Sequence, residues 1–203
     1  MSGPSGGGKT TVVERLLRAM PRLERSVSVT TRPPRPGERR GHDYRFVTPA
    51  AFQRLRRAGR LLEWASVHGA WYGTPRGPVL RALARGHHVV LCIDVQGGRQ
   101  IRRALGARAV LVFLLPPSMR RLRARLLRRR TESPAALRRR LAAARREIAC
   151  AQWYDRTVVN DRLDRTVRTM KTIVFGEGNK TRQAGRSTKG AADSWRKYRL
   201  RIS

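Results

Sequence analysis

Eight residues near the start of the chain have the types and the spacing of a phosphate-binding loop. They match the pattern G-x-x-x-x-G-K-[ST] at every fixed position: Gly3, Pro4, Ser5, Gly6, Gly7, Gly8, Lys9 and Thr10. Glycines let successive backbone N–H groups curl around phosphate oxygens, and the lysine ammonium can bridge the β- and γ-phosphates. The Thr10 hydroxyl is a candidate ligand for Mg²⁺. The pattern predicts a nucleoside triphosphate site that uses Mg²⁺, with Thr11 as a further contact.

A loop of this kind is normally held between a strand before it and a helix after it. The apolar residues that follow the loop recur at helical spacing and predict a helix over residues 10–19. Only Met1 and Ser2 precede the loop in this sequence, so no first strand is expected. Because that strand usually lies inside the sheet, we expect two exposed strand edges and a loop without its anchor.

The rest of the chain alternates between strand-like and helix-like segments. Strands are predicted at residues 26–31, 61–67, 88–95 and 109–115, and helices at residues 52–58, 78–84, 118–127 and 134–152. Ser133 and Pro134 are placed as the N-cap and first residue of the last helix. The apolar, β-branched run at residues 89–93 is typical of a strand buried on both faces of a parallel sheet. The alternation predicts an α/β fold.

The sequence is strongly basic, with 46 Lys and Arg against 13 Asp and Glu and a net charge of +33. Residues 120–146 contain 12 arginines and one acidic residue, Glu132, and most of these arginines are expected on solvated helix faces. Residues 176–203 contain 8 Lys and Arg and lose apolar periodicity, which predicts a disordered basic tail. As an alternative, the charge favours nucleic-acid binding, which we assign only to this tail.

The two cysteines, Cys92 and Cys150, lie far apart in sequence and lack metal-ligand spacing, which favours reduced thiols. No apolar run approaches the roughly 18 residues needed to span a bilayer, and the first residues do not form a signal peptide. A cytoplasmic protein without a membrane partner is expected.

Residues 26–74 contain three further groups of residues that belong together. They read SVSVTTRPPRPGE at 26–38, GHDY at 41–44, and EWA at 63–65 followed by YGT at 72–74. With the phosphate loop, these groups resemble the signature of the guanylate kinase family, and the similarity extends from Ser2 to about Val174. The resemblance implies the P-loop NTPase fold, a three-layer α/β/α arrangement with a parallel core sheet, a small GMP-binding lobe and a helical lid.

The resemblance also implies a division of the chain. A guanylate kinase-like domain would cover residues 1–175, followed by the basic tail at 176–203. Within the domain the core would comprise residues 1–31, 75–119 and 147–175, with the GMP-binding lobe at about 32–74 and the lid at about 120–146.

By the same resemblance, the acceptor phosphate and the guanine base of GMP are bound by different residues. Arg32, Arg35, Tyr44 and Tyr72 would hold the phosphate, and Ser28, Glu63 and Thr74 would read the base. A carboxylate at Glu63 can accept from guanine N1–H and from the 2-amino group together, whereas adenine presents no such pair of donors. A buried Glu63 left unpaired would therefore reject AMP.

For ATP, the resemblance adds Asn160 to the phosphate loop. Residues 158–161 match the family's last strand, where Asn160 would touch adenine, and a turn formed by Asn160 and Asp161 is the alternative. Asp94, at the end of the strand predicted for residues 88–95, would lie near GMP and assist the metal indirectly, with a structural carboxylate as the alternative.

The lid implied by the resemblance contributes arginines to catalysis. Arg125, Arg129 and Arg140 would join Lys9 in stabilising charge on the transferring phosphoryl group. The sequence departs from the family pattern at Cys92, where an acidic residue is usual, and at Arg128 and Arg130, where glycine is usual.

The leading hypothesis is a guanylate kinase, which transfers the γ-phosphoryl group of ATP to GMP with Mg²⁺ as cofactor. Two alternatives stay open. One is a truncated or inactive guanylate kinase-like protein acting as a nucleotide- or phosphopeptide-binding module, and the other is a kinase of a different phosphorylated acceptor.

Overall fold

The structure is a computed structural model, and it describes residues 1–67, 69–128 and 133–178, with side chains up to residue 176. The described chain forms two compact units. One comprises residues 1–18 and the chain from residue 110 onward, and the other comprises residues 19–109. The sequence-based division into core, lobe, lid and tail stays a prediction.

Helices and strands alternate along the chain, which confirms the predicted α/β class. The helices are α1 (Lys9–Ala19), α2 (Pro49–Arg57), α3 (Arg76–Ala84), α4 (Val95–Leu105), α5 (Met119–Leu127), α6 (Pro134–Ala149) and α7 (Leu163–Gly178). The strands are β1 (Leu23–Arg25), β2 (Val29–Thr30), β3 (Arg45–Phe46), β4 (Leu61–Val67), β5 (Ala70–Pro75), β6 (His88–Val90), β7 (Val112–Leu115) and β8 (Arg156–Val159). Short 3₁₀ helices lie at Gly106–Arg108 and Cys150–Trp153.

The first unit is built on the parallel pair of β7 and β8, in which Val112 faces Arg156 and Leu115 faces Val159. All four residues of β7 are buried, as the apolar run at residues 109–115 predicts. On the other edge of β7, Ser2 forms a parallel bridge with Phe113. The N–H of Ser2 donates to the Val112 carbonyl at 2.9 Å, and the Leu114 N–H donates to the Ser2 carbonyl at 2.7 Å. The expectation that the loop lacks an anchor is therefore wrong, since one buried residue fastens it to the sheet.

The basic hairpin of the first unit owes its structure to a small apolar face and to two serine caps. Leu122 and Leu126 of α5 pack with Leu137 and Ala144 of α6. Ser118 and Ser133 are the N-caps of these helices, and each hydroxyl accepts a backbone N–H three residues on, at 3.1 and 3.3 Å. The predicted positions of Ser133 and Pro134 are confirmed. Most of the arginines on the opposite faces are exposed, as expected for solvated helix surface.

The second unit contains a mixed four-stranded sheet in the order β3-β2-β5-β4 and a separate parallel pair, β1 and β6. The neighbours of β5 are antiparallel to it, whereas β3 runs parallel to β2. Gln100 of α4 lies against the edge strand β4: its Oε1 accepts from the Trp64 N–H at 3.2 Å, and its Nε2 donates to the Trp64 carbonyl at 2.7 Å. Trp71 packs between Phe52 and Trp64, with ring centroids 6.0 and 5.4 Å away.

Several predicted elements have different ends in the structure. The strand predicted at 88–95 stops at Val90, and its valines are half-buried, so the expected burial on both faces is not found. The four residues after Val90 belong to neither a strand nor a helix, and the last of them, Asp94, is the N-cap of α4. The strand predicted at 26–31 is shortened to β2. At the C-terminus, α7 continues through Gly178, and the rest of the predicted tail, residues 179–203, lies outside the described residues.

Within the described ranges, no helix combines the length and the apolar character needed to cross a bilayer.

Candidate active site

The phosphate loop adopts a conformation that glycine makes possible. Gly3, Gly6 and Gly8 all have positive φ, at 151°, 82° and 92°. A Cβ atom on Gly3 would collide with the carbonyl oxygen of Leu114, and one on Gly8 would collide with Nδ2 of Asn160. Glycine is therefore required at residues 3 and 8 for two reasons. The backbone angle is positive at both, and β7 comes too close to Gly3, and Asn160 too close to Gly8, for a side chain to fit.

Lys9 stands at the first position of α1 and closes the loop. Its ammonium donates to the carbonyl oxygens of Gly3 at 2.5 Å and of Pro4 at 3.1 Å. Thr10 and Thr11 follow on the exposed side of the first helical turn. A cation, two hydroxyls and the positive end of a helix are thus gathered at one place, which suits an anionic ligand.

A cavity of about 390 Å³ lies beside the loop in the first unit. Its lining residues come from the loop, α1, α5 and the segment after β8: Gly6, Gly8, Thr11, Arg125, Asn160, Asp161 and Leu163. The structure therefore brings Arg125 and Asn160, which are distant in sequence, to the phosphate loop. Of the other predicted lid arginines, Arg140 is half-buried on α6, and Arg129 lies outside the described residues.

In the second unit, one face of the four-stranded sheet collects residues predicted to bind the guanine and the phosphate of GMP. Tyr72 and Thr74 lie two residues apart on β5 and so point to the same face. Glu63 of β4 is paired with Thr74, and Thr30 of β2 is paired with Tyr72. Ser28, two residues before Thr30, is also buried.

Glu63 is the central carboxylate of this face and is only 4% exposed. Its Oε1 accepts a 2.6 Å hydrogen bond from the Thr74 hydroxyl. Burial raises the pKa of Glu63 from its ordinary value of 4.5 to about 7, and the nearby Asp94 carboxylate raises the pKa further while Thr74 opposes the change. A Cβ on Gly97 of α4 would overlap Glu63 Oε2, so α4 can approach the carboxylate only because residue 97 is glycine.

The raised pKa of Glu63 predicts that the protein loses stability as pH rises. The unfolded chain releases this proton near pH 4.5 and the folded chain near pH 7, so the contribution is complete below pH 4.5 and lost through pH 7. Each tenfold change in proton affinity corresponds to about 1.4 kcal/mol, which makes the loss about 3 kcal/mol. Urea unfolding between pH 5 and 8 should show that Glu63→Gln, but not Glu14→Gln on the exposed side of α1, removes this dependence. An identical pH dependence in both variants would contradict the assignment.

A second cluster on this unit is organised around Arg32. Its Nε donates to the Tyr72 hydroxyl at 3.1 Å, and its guanidinium carbon lies 4.9 Å from the centre of the Tyr44 ring. The two Nη atoms form a forked pair with Glu38, at 2.7 and 2.6 Å. The hydrogen bonds from Arg32 hold the pKa of Glu38 below its ordinary value, and the same pairing raises the pKa of Arg32. The cluster therefore fixes a permanent positive charge beside two tyrosines, of which Tyr44 has its pKa raised by burial.

Two other predicted acceptor residues have different surroundings. The Arg35 side chain is exposed, and its backbone N–H donates to Glu38 at 2.8 Å. Asp94 is the N-cap of α4, and its Oδ1 accepts from the Gly97 N–H at 2.8 Å. Asp94 thus has the structural role given as its alternative, and it also acts electrostatically on Glu63. Cys92 is half-buried two residues before it.

Sequence reasoning missed three residues that shape these clusters. Glu38 has no predicted role of its own in the 26–38 group, although an acidic residue within a proline- and arginine-rich loop is itself a sign of an internal ion pair. Gly97 could have been noticed as the first of two adjacent glycines just after Asp94. Gln100 carries no local signal, because its bonds to β4 bridge residues 36 positions apart.

Comparison with known proteins agrees with these observations. A sequence model of the guanylate kinase family matches residues 1–177. The guanylate kinase of Gloeobacter violaceus is 49% identical over 177 residues, which cover 87% of this chain and 86% of the relative. The guanylate kinase of Thermobifida fusca is 54% identical over 160 residues, 79% of this chain and 81% of the relative.

Among solved structures, the crystal structure of guanylate kinase from Anaplasma phagocytophilum has a TM-score of 0.73 at 34% identity. The match covers 87% of this chain and 84% of that one. It confirms the predicted P-loop α/β fold. The chain belongs to the guanylate kinase family.

Proposed function

We propose that this protein is a guanylate kinase that transfers the γ-phosphoryl group of ATP to GMP. The observation that carries the proposal is the face shared by Glu63, Thr74 and Tyr72. At one end a buried carboxylate offers an acceptor for paired N–H donors, and at the other end Arg32 offers a fixed cation. Guanine and phosphate are the two ends of GMP, and adenine lacks the donors that Glu63 requires.

In the proposed acceptor site, GMP supplies hydrogen-bond partners to polar groups that are buried in the protein. Glu63 in its ionised form accepts hydrogen bonds from guanine N1–H and from the 2-amino group. These two donors take the place of the water molecules that would solvate an exposed carboxylate. Ser28 and Thr74 complete the polar lining around the base. Arg32, Arg35, Tyr44 and Tyr72 bind the phosphate, and Arg32 must keep its orientation, which the forked bond to Glu38 provides.

On the donor side, the proposal assigns the triphosphate to the loop at residues 3–10 and to Thr11. Its backbone N–H groups and the N-terminus of α1 bind phosphate oxygens, and Lys9 stabilises the charge that develops as the γ-phosphoryl group moves. Arg125, Arg129 and Arg140 are proposed to add positive charge and to exclude water. No covalent intermediate on the protein is required, because positioning and electrostatics suffice for this reaction class.

The donor set around the loop fits Mg²⁺ as the cofactor. Among the residues described, no group of three or more His, Cys, Asp and Glu side chains could hold a metal ion. Mg²⁺ commonly binds through one or two protein oxygens together with phosphate oxygens and waters, and the exposed Thr10 hydroxyl offers such an oxygen. When bound, the metal would neutralise charge on the β- and γ-phosphates. Asp94 is proposed only as an indirect contributor.

We place the protein in the cytoplasm, where ATP and GMP are available. Both Cys92 and Cys150 are free thiols, as a reducing compartment favours.

The proposal is tested by ADP release in the presence of ATP and Mg²⁺, with GMP, with AMP and without acceptor. Turnover with GMP and about 10⁴-fold lower kcat/KM with AMP is the expected result. Equal turnover with AMP would contradict the role of Glu63. Binding of ATP and GMP without turnover would favour the nucleotide-binding module instead.

Gly97→Ala should damage the acceptor site without touching the substrate. The new Cβ would lie 2.9 Å from Glu63 Cδ, and Glu63 cannot swing aside because it is buried and bonded to Thr74. We expect KM for GMP to rise by about 10- to 100-fold while KM for ATP stays within threefold. Gly176→Ala on α7 is the matched control, since a Cβ there meets nothing within 4 Å. An unchanged KM for GMP in Gly97→Ala would show that the contact is not needed.

A further inference from the structure

Two side chains from separate elements converge on one carbonyl oxygen of the phosphate loop. Asn160, which follows β8, donates from Nδ2 to the Gly7 carbonyl at 2.8 Å. Arg125 of α5 places Nη1 at 3.4 Å from the same oxygen and donates from Nη2 to the Asn160 carbonyl at 3.2 Å. Asn160 is only 6% exposed. The buried amide therefore has a partner on the protein backbone, besides any ligand in the cavity that Asn160 lines.

The hydrogen-bond network fixes which end of the Asn160 amide faces the loop. The Gly7 carbonyl can only accept, so the NH₂ group must point toward it. The amide oxygen then lies 3.2 Å from the hydroxyl of Thr166, a fully buried residue of α7. That hydroxyl shares its single proton among Asn160 Oδ1, the Arg162 carbonyl and the Val159 carbonyl, at 3.1 to 3.4 Å. The loop, β8 and α7 are thus joined through Asn160.

Holding the Gly7 carbonyl has a direct effect on the next N–H group. In a trans peptide the carbonyl of Gly7 and the N–H of Gly8 point in opposite directions. A bond that fixes the carbonyl therefore also aims the Gly8 N–H away from Asn160. Binding of phosphates by a loop of this kind depends on successive N–H groups turned toward one point. The collision of any Cβ on Gly8 with Asn160 Nδ2 shows how closely the two residues fit.

We propose that Asn160 is a positioning residue of the phosphate loop, acting through the Gly7 carbonyl with the help of Arg125. The inference rests on the proposed function only in taking a triphosphate as the ligand of the loop. The role is additional to the adenine contact expected for this residue, because the amide keeps a second N–H and a second acceptor position.

The test compares three ligands that share the phosphates but differ in the base: ATP, GTP and inorganic triphosphate. Asn160→Leu keeps the approximate shape, removes the donor and adds no charge near the phosphates. We expect the dissociation constants of all three ligands, including inorganic triphosphate, which has no base, to rise by about 10- to 100-fold. Loss of ATP affinity alone, with inorganic triphosphate unaffected, would show that Asn160 acts only on the base and would overturn the proposal. Unchanged affinity for all three would overturn it as well.

A second variant covers the case in which Asn160→Leu does not fold. Thr166→Val removes the hydroxyl beside Asn160 Oδ1, and Thr169→Val, an exposed threonine on the same helix, is its control. Thr166→Val should weaken the binding of all three ligands, by a smaller factor than Asn160→Leu does, while Thr169→Val leaves their binding unchanged. In turnover, Asn160→Leu should lower kcat as well as raise KM for ATP, since an N–H that points away from the phosphates also stabilises the transition state less.

The outcomes separate this inference from the proposed function. Ligand binding by the loop is measured without GMP, so a protein that binds the three ligands but shows no transfer to GMP can still confirm the role of Asn160. A GMP-dependent turnover that Asn160→Leu leaves intact, with unchanged affinities, would uphold the function and reject the inference.

Discussion

Replacement of Lys9 by Met should lower kcat by at least about 100-fold. The methionine keeps an unbranched side chain of similar length but removes the ammonium that now bonds the Gly3 and Pro4 carbonyls. In the proposed reaction this ammonium stabilises the negative charge on the transferring phosphoryl group, and the methionine thioether carries no charge that could do so. The measurement is steady-state ADP release with saturating ATP and GMP.

The control for Lys9→Met is Lys171→Met, which removes a half-buried lysine from α7. Its kcat should stay within twofold of that of the unmodified protein. Affinity for GMP, measured in the absence of ATP, should be unchanged in both variants. A kcat in Lys9→Met within tenfold of the original would mean that the phosphate loop does not act in catalysis.

Glu63→Gln should have the other large effect. It should lower kcat/KM for the acceptor GMP and leave the kinetics of ATP unchanged. Two hydrogen bonds to a charged acceptor contribute about 1.5–3 kcal/mol each, so their loss corresponds to a fall of about 10²- to 10⁴-fold in kcat/KM for GMP. KM for ATP should not change. Because the pKa of Glu63 is about 7 in the free protein, kcat/KM for GMP should also fall tenfold per pH unit below pH 7.

Glu14→Gln serves again as the matched control, because it removes an exposed carboxylate from α1. It should leave both kcat/KM for GMP and the acid limb of the pH profile intact. If Glu63→Gln kept the same acid limb as the original protein, the titrating group would have to be a different residue. Since the same substitution is expected to stabilise the folded protein above pH 7, activity and stability should move in opposite directions.

The phosphate loop could be predicted from sequence because its geometry dictates its residue types. Positive φ at Gly3, Gly6 and Gly8 and the close neighbours of Gly3 and Gly8 leave no alternative to glycine. The buried strand β7 was likewise predicted, because burial on both faces demands a continuous apolar run. The backbone angles of the loop and the burial of β7 dictate the residue types at those positions, so a short stretch of sequence is enough to predict these features.

Features that depend on distant partners could not be predicted in the same way. The anchoring of Ser2 needs β7, more than 100 residues away, and a single bridging residue has no periodicity to detect. Helix α4 has Asp94 as its N-cap and contains two glycines that lower intrinsic helix propensity by about 1 kcal/mol each. Packing of Gly97 on Glu63 overrides that propensity. The locked pair of Arg32 and Glu38 required the folded loop to bring the residues together.

The contact of Gln100 with the edge strand β4 has a consequence for the behaviour of the protein in concentrated solution. The side-chain amide reproduces the donor and the acceptor that a neighbouring strand would present to the backbone of Trp64. Free strand edges invite pairing with another chain, which leads to aggregation or domain swapping. At Trp64 both backbone groups are already engaged, so an incoming strand would have to displace an intramolecular partner. A glutamine on a helix thereby disfavours self-association along the edge of the four-stranded sheet.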